Sequence, residues 1–338
     1  MLSERELNRA MLARQLLLER SRLSIPRALE RMGGIQNQYA LNAYIRLRSC
    51  LENFERDDLT RALERRTVVQ GTLLRSTIHM VSAQDYWLYA LGVRRARREW
   101  TLRLRKDATR KEMIRRAARV RAALLKGPLP ARELMKLVQN STDWLDVVRI
   151  PPSGTWERRR ADLYGLAETW LEPSDATEKE GYEHLVRRYL GGFGPSSLND
   201  IARWALVPSD TLAPVVTRLA SRRFRSERGD ELFDLASAPL PDGDTPAPVR
   251  YLPTWDAMLL VHARRTGILP EAYRKIVFHI KQPQSMGTFL VDGRVAGTWK
   301  EKLGRVVLEP FETISRKVRR ELEEEGERML ALYVTAGQ

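Results

Sequence analysis

Val68-Val69-Gln70-Gly71-Thr72-Leu73-Leu74-Arg75-Ser76-Thr77-Ile78-His79-Met80-Val81 is the stretch that decides how this chain folds. Residues 68–72 and 76–81 have the β-branched, alternating character of strands, and the short Leu73-Leu74-Arg75 connection reads as a hairpin turn. Helical spacing precedes it. Leu7, Met11, Leu12, Leu16 and Leu17 form one apolar stripe over 4–17, and Gln36-Asn37-Gln38 closes a helix-like stretch over 25–35. Asp57-Asp58 caps a short helix over 59–64. Helices followed by a basic hairpin make the plan of a winged helix-turn-helix unit, and from Ala83 the chain is helical again.

The plan recurs twice with divergent sequence. Residues 111–125 form a basic amphipathic helix, Gly127-Pro128-Leu129-Pro130 breaks it, and a helix over 131–138 follows. The arm Ile150-Pro151-Pro152-Ser153-Gly154-Thr155-Trp156-Glu157-Arg158-Arg159-Arg160 reads as a second wing. In the third copy, helix 180–190 ends at Gly191-Gly192-Phe193-Gly194-Pro195, a serine cap opens helix 198–204, helix 211–219 follows, and 224–235 is a hairpin. Residues 239–248 have the Pro, Gly and Asp content of a linker. Beyond them, Gly287 to Val291, the turn Asp292-Gly293 and Arg294 to Trp299 give a strong hairpin signal, because Asp-Gly suits the positive φ angles of a type I′ turn. A strand over 306–308 and a charged helix over 315–325 complete the pattern. The expected fold is mixed α+β and mainly helical: three winged-helix units over 1–105, 106–175 and 176–240, then a small β-barrel-like domain over 241–338.

The chain has 338 residues and a formal charge of +15, with a sequence pI near 10.2. A surface of that sign favours a polyanion such as nucleic acid or an anionic membrane face. Arginine outnumbers lysine 48 to 10. The planar guanidinium suits phosphate oxygens, and a GC-rich coding sequence would give the same skew. Between Arg94 and Arg121, thirteen arginines and lysines face only Glu99, Asp107 and Glu112, an excess too large for salt-bridge lacing. No apolar run approaches the roughly 20 residues that span a bilayer, and the N-terminus reads as an amphipathic helix, so a cytoplasmic, nucleoid-associated protein is expected.

The single cysteine, Cys50, excludes an internal disulfide and a cysteine-rich zinc site, and His79, His184, His262 and His279 have no metal-ligand spacing. No Gly-rich phosphate loop, His-Glu zinc signature or Gly-x-Ser-x-Gly elbow occurs. The expectation is therefore no metal and no cofactor. An amide carbonyl is a weak base, yet it accepts a hydrogen bond and orients water, which makes Gln36 and Gln38 candidates. Arg75, Thr77 and His79 on the first wing, and Trp156 with Arg158, Arg159 and Arg160 on the arm, are expected to contact DNA; Trp255-Asp256 is a further candidate, with Asp256 readable as a cap or an ion-pair partner.

Gln36-Asn37-Gln38, Arg75-Ser76-Thr77-Ile78-His79, the string from Pro151 to Asp162, Leu252-Pro253-Thr254-Trp255-Asp256 and the hairpin from Val291 to Trp299 resemble the AlkZ-type DNA glycosylases over essentially the whole chain. The resemblance implies three tandem winged helices and a barrel-like domain around a concave DNA channel, with Gln36 and Gln38 catalytic. The family's middle position is usually aliphatic and here it is Asn37; the branch with aspartate in the second position is not matched. The implied activity is metal-independent, monofunctional hydrolysis of the N-glycosidic bond of alkylated purines, crosslinked ones included, by a monomer acting on double-stranded DNA. An N7- or N3-alkylated purine already carries positive charge and leaves easily, so two neutral amides holding a water suffice. The alternative is a winged-helix transcriptional regulator without catalysis.

Overall fold

The computed structural model describes residues 1–105, 109–138, 144–160, 162–263, 267–279 and 284–334. Lys106, Asp107 and Ala161, which belong to the basic run and the arm string, lie outside the described residues.

Helix α1 (Glu4–Arg14) opens with a capping box between Ser3 and Glu6. Helix α2 (Ile25–Met32) starts with Pro26 in its first turn and stops at Gly33, whose φ of 81° is left-handed. Gly34 repeats that φ, and the chain then enters strand β1 (Ile35–Gln36), so the helix expected to reach residue 35 ends three residues early. After α3 (Leu41–Cys50), helix α4 (Arg56–Glu64) is capped by a Glu55–Asp58 box and starts three residues before the Leu59 expected. Strands β2 (Val68–Thr72) and β3 (Ile78–Ser82) form the hairpin read from the sequence, in register from Val68↔Ser82 to Thr72↔Ile78. Helix α5 (Ala83–Leu104) comes at once after it, capped by the Ser82 hydroxyl.

Next come α6 (Arg110–Leu124), β4 (Leu129–Pro130), α7 (Ala131–Val138), β5 (Val147–Arg149), β6 (Leu163–Leu166) and α8 (Ala167–Trp170). The expected second wing is not a separate hairpin. β5 pairs with β6, and Val148 also pairs with Gly71 of the first hairpin, which makes one six-stranded sheet in the order β1-β3-β2-β5-β6-β4. Residues 150–160 are the loop joining β5 to β6, and the sheet runs unbroken across the boundary expected near 105.

Helices α9 (Glu178–Phe193), α10 (Leu198–Ala205) and α11 (Ser209–Leu219) precede the hairpin β7 (Arg222–Arg225) and β8 (Glu231–Asp234), as the third copy anticipated, with Ser197 capping α10. The C-terminal part holds β9 (Arg250–Leu252), α12 (Arg274–Val277), the short pair β10 (Phe278–His279) and β11 (Gln284–Ser285), then β12 (Gly287–Val291), β13 (Arg294–Lys302), β14 (Arg305–Pro310) and α13 (Arg316–Leu330). Its sheet is four-stranded and antiparallel, in the order β14-β13-β12-β9. Asp292 and Gly293 turn β12 into β13 with φ of 46° and 76°. Among the described residues no helix is long and apolar enough to cross a membrane.

The largest apolar core runs from Met11 to Leu332 and draws on all four expected parts, while Val120, Leu124, Leu134, Val147 and Leu166 form a smaller cluster of their own. Residues 239–248 are likewise not a loose linker: Arg14 donates to the Pro239 carbonyl at 3.0 Å and Arg9 to that of Thr245 at 2.6 Å. Arg14 also meets Asp234 at 2.7 Å, both side chains fully buried, which ties α1 to β8. Helices α5 and α9 meet backbone to backbone, where a Cβ on Gly181 would stand 2.5 Å from the Gly92 nitrogen. Overpacking a close contact costs about 1–3 kcal/mol, so Gly181→Val should lower unfolding free energy by at least that much, read as a lower urea midpoint with an unchanged slope.

Candidate active site

Gly33 and Gly34 turn the chain from α2 onto the edge of β3. A Cβ on Gly34 would meet Val81 Cγ1 at 3.0 Å, and its φ is positive, so glycine is required there. β1 then pairs Ile35 with Met80 and Gln36 with His79, and the Asn37 amide donates to the Ile78 carbonyl at 2.8 Å. Strand β1 ends at Gln36, and the chain bends at Gln38. Gln36 is 8% exposed, Asn37 2%, and Gln38 stands in solvent.

Each amide has a partner. Gln36 Oε1 accepts from Arg75 Nη2 at 2.6 Å, and Gln38 Oε1 accepts from the Ile78 backbone at 3.2 Å. Asn37 Oδ1 accepts from the Ala43 amide at 3.1 Å in the first turn of α3, while its Nδ2 donates to Gln70 Oε1 at 3.0 Å. Gln70 in turn donates to the Gly154 carbonyl at 3.1 Å, which carries the chain of amides into the 150–160 loop. The polar middle residue is thus a buried, satisfied group.

Arg75 sits in the β2–β3 turn with φ of 53°, and Ser76 has 55°, two successive non-glycine residues in the left-handed region. The turn is held by Leu73 N–H donating to the Thr77 carbonyl at 3.0 Å and the Thr77 hydroxyl donating to the Leu74 carbonyl at 3.0 Å. Arg75 Nη1 reaches the Trp204 carbonyl at the end of α10, 2.8 Å away. Burial pushes the Arg75 guanidinium down to about 10, so it is charged at neutral pH. His79 is 2% exposed, and burial, with the Arg75 cation second, pushes it down to about 3. It is a neutral imidazole at physiological pH, with Nδ1 donating to the Thr77 carbonyl at 3.0 Å.

These positions revise the expected DNA contacts. His79 is inside the sheet, and Arg75 and Thr77 are half-buried and engaged within the turn. Trp156 is 5% exposed, edge-on to Tyr44 at 5.4 Å and to Tyr333 at 5.1 Å, so it anchors the arm in the core and has no face for DNA. Arg158, Arg159 and Arg160 are exposed, as a phosphate-gripping arm requires. Arg158 meets Asp162 at 3.2 Å, and Arg159 lies over the Trp156 ring.

The profile of the family described as DNA glycosylase AlkZ-like matches residues 29–332. The chain belongs to that family. Among solved structures, the Streptomyces sahachiroi DNA glycosylase AlkZ is similar with a TM-score of 0.80 and 17% identity, covering 98% of this chain and 96% of that one, a likeness of fold. No curated protein sequence matches. Family membership makes the chain a DNA glycosylase, a hydrolase whose substrate is DNA.

Other candidates resolve into structure. Asp256 pairs with buried Arg46 at 3.0 Å and caps the Met258 amide at 3.0 Å, so both of its sequence readings hold. Cys50 is fully buried and its thiol is pushed up to about 11 by desolvation, which makes it a poor nucleophile. Among the described residues no group of three or more His, Cys, Asp or Glu side chains is placed to hold a metal ion. Gln70 is not among the sequence-derived candidates, although a polar residue in mid-strand between Val69 and Gly71 is a signal. Trp255, the other member of the Trp255-Asp256 candidate, is half-exposed with φ of 57°, and Asn42 holds its neighbour Thr254 by two bonds of 2.8 and 3.0 Å.

These contacts have two measurable consequences. Asn37→Ala leaves Gln70 Oε1 without its donor, which costs about 1–3 kcal/mol in a denaturation midpoint, and Asn37→Leu with Gln70→Leu recovers part of the loss because both polar groups are gone. For His79 the fold holds the neutral form down to about 3 while the unfolded chain takes a proton below its ordinary 6.5. The unfolded state binds more protons in that window, so wild type loses more stability than His79→Gln as pH drops through it, measurable by urea titrations at several pH values.

Proposed function

We propose that the chain removes cationic, N-alkylated purines from duplex DNA, crosslinked purines among them, by metal-independent hydrolysis of the N-glycosidic bond. The observation that carries this reading is the pair Gln36 and Gln38, both bonded to the β2–β3 hairpin, one held by Arg75 and the other in solvent. In this reading the amides hold a water against C1′ of the sugar. Neutral groups suffice because the lesion brings its own positive charge and departs without protonation. A crosslinked base is tied to the opposite strand and cannot be fully extruded, so an open site suits it. Gln38 stands on open surface, and the cleft lined by Leu7, Met11, Arg203 and Ile268 shares no residue with the glutamine strand.

The helix-and-hairpin units act here as winged helices around a DNA channel, with Arg158, Arg159 and Arg160 on phosphates and the protein working as a nucleoid-associated cytoplasmic monomer. Base release without strand cleavage is expected, since no lysine occurs among residues 1–105 to form a Schiff base.

On a duplex carrying N7-alkylguanine or a nitrogen-mustard crosslink, wild type should release the modified base in excess chelator and leave an intact, alkali-sensitive strand. Gln36→Ala and Gln38→Ala should keep DNA binding and lose excision by on the order of 10²-fold or more. Charge reversal of Arg158, Arg159 and Arg160 should weaken binding to all sequences alike and flatten its salt dependence. Wild type that excises nothing from any alkylated duplex, yet footprints a defined operator, would make the chain a regulator.

A further inference from the structure

The two glutamines are not equivalent, and the difference lies in which end of each amide is free. Arginine carries donors and no acceptor, so the atom of Gln36 facing Arg75 Nη2 at 2.6 Å is its carbonyl oxygen. That charge-assisted bond, inside a residue only 8% exposed, leaves the Gln36 NH₂ as the group to offer. Gln38 differs. Its oxygen takes one longer bond, 3.2 Å from a backbone N–H, and the side chain is exposed, so a carbonyl lone pair remains open to solvent. Arg75 is itself over-determined. Two left-handed residues aim it, the Thr77 hydroxyl pins the turn, and Nη1 is fastened to the Trp204 carbonyl at 2.8 Å. Backbone strain of this kind persists only where the surroundings enforce it.

We infer that Arg75 is a positioning residue that fixes Gln36 as a hydrogen-bond donor to the damaged nucleotide, while Gln38 is the amide that accepts from the attacking water. This rests on the glycosylase reading. In the hydrolysis the C1′–N bond breaks with its electron pair staying on the base, the water oxygen bonds to C1′, and the proton lost from water goes to solvent, carrying away the charge that the alkylated base brought. Electron density rises on the departing base, and a fixed amide N–H aimed at one of its ring nitrogens or its carbonyl oxygen stabilises that density as it develops. Arg75 therefore acts through Gln36, in place of the direct phosphate contact that its sequence context suggested.

Gln36→Glu separates donor from acceptor. Its carboxylate still receives Arg75, so folding and duplex affinity are retained, but it has no N–H; excision should fall as far as in Gln36→Ala, on the order of 10²-fold. Excision at or above the wild-type rate would overturn the donor role. Arg75→Met should lower the single-turnover rate at saturating protein by on the order of 10-fold with little change in Kd for lesion duplex, and Arg75→Lys, which still donates, should restore most of it. A changed Kd with an unchanged saturating rate would make Arg75 a phosphate contact and end the proposal. The bond itself is read without catalysis: the Gln36 side-chain amide signal in a ¹H–¹⁵N spectrum of the whole protein should shift in Arg75→Met and stay near wild type in Arg75→Lys. An unmoved signal refutes the positioning even if wild type excises, whereas a shifted signal with no excision by wild type locates the failure in the glycosylase reading.

Discussion

The glycine-to-glycine approach of α5 and α9 is the constraint on which the site depends. With a Cβ on Gly181 only 2.5 Å from the Gly92 nitrogen, and one on Gly92 only 2.8 Å from the Gly181 carbonyl, no other pair of residues lets the two backbones come so close. That distance sets the position of α9 against the rest of the site. α9 brings Arg188 to Asp85 at 2.7 Å in the first turn of α5, and to the Glu30 carbonyl at 3.0 Å in α2. Gly33 is pressed against the same helix, since a Cβ there would lie 3.3 Å from the Arg188 carbonyl. The turn that launches the glutamine strand is thus seated on α9, and α10, next in the chain, ends with the Trp204 carbonyl at Arg75.

Polar groups in the sheet interior form a second dependency. An unsatisfied buried amide costs about 1–3 kcal/mol, so an asparagine 2% exposed just past the end of β1 is tolerable only with its partners in place. Gln70 and the first turn of α3 supply them, and Gln70 passes the connection to Gly154. Backbone packing enforces this as well: a Cβ on Gly154 would sit 3.0 Å from Gln70 Oε1. The base of the arginine arm and the glutamine strand therefore share one rigid network, although they are more than a hundred residues apart. Trp156, buried between Tyr44 and Tyr333, fixes the arm from the other side.

Features that rest on neighbours in sequence are legible in the sequence itself. The β2–β3 hairpin, the Ser197 cap, the α10–α11 pair and the Asp292-Gly293 turn each arise from residues a few positions apart, and each stands where the pattern puts it. Features that depend on distant chain are not legible in this way. Nothing local says that Val148 pairs with Gly71, so the arm reads as a wing of its own. A basic arm with an exposed-looking Trp156 likewise gives no hint of Tyr333. The paired glycines at 33 and 34 do carry the signal that α2 ends before the glutamines, but helical spacing masks it. Gln36 and Gln38 are identifiable as catalytic candidates through family resemblance, since two glutamines in isolation are an ordinary surface feature; the Arg75–Gln36 bond needs the third unit to be in place.

The site holds a half-buried cation, Arg75, and the glutamines have no acidic side chain among their hydrogen-bond partners. Formal charge is +15, and the partners of Gln36, Asn37 and Gln38 are an arginine already fastened at both ends, a glutamine and backbone groups. His79 behind them is held uncharged by burial. On the proposed chemistry this lack of an acid sets selectivity. An undamaged purine leaves only after protonation or with a strong acid beside it. A neutral imidazole sealed in the sheet cannot serve as that acid, and a carboxylate at position 36 would be neutralised by Arg75 before it met substrate. A site built this way, which positions a water and offers one amide N–H to the departing base, lowers the barrier modestly, and a modest reduction matters only where the leaving group is already cationic. Selectivity for labile lesions over the large excess of normal bases then comes from the weakness of the catalyst, with no need for a closed pocket to reject them.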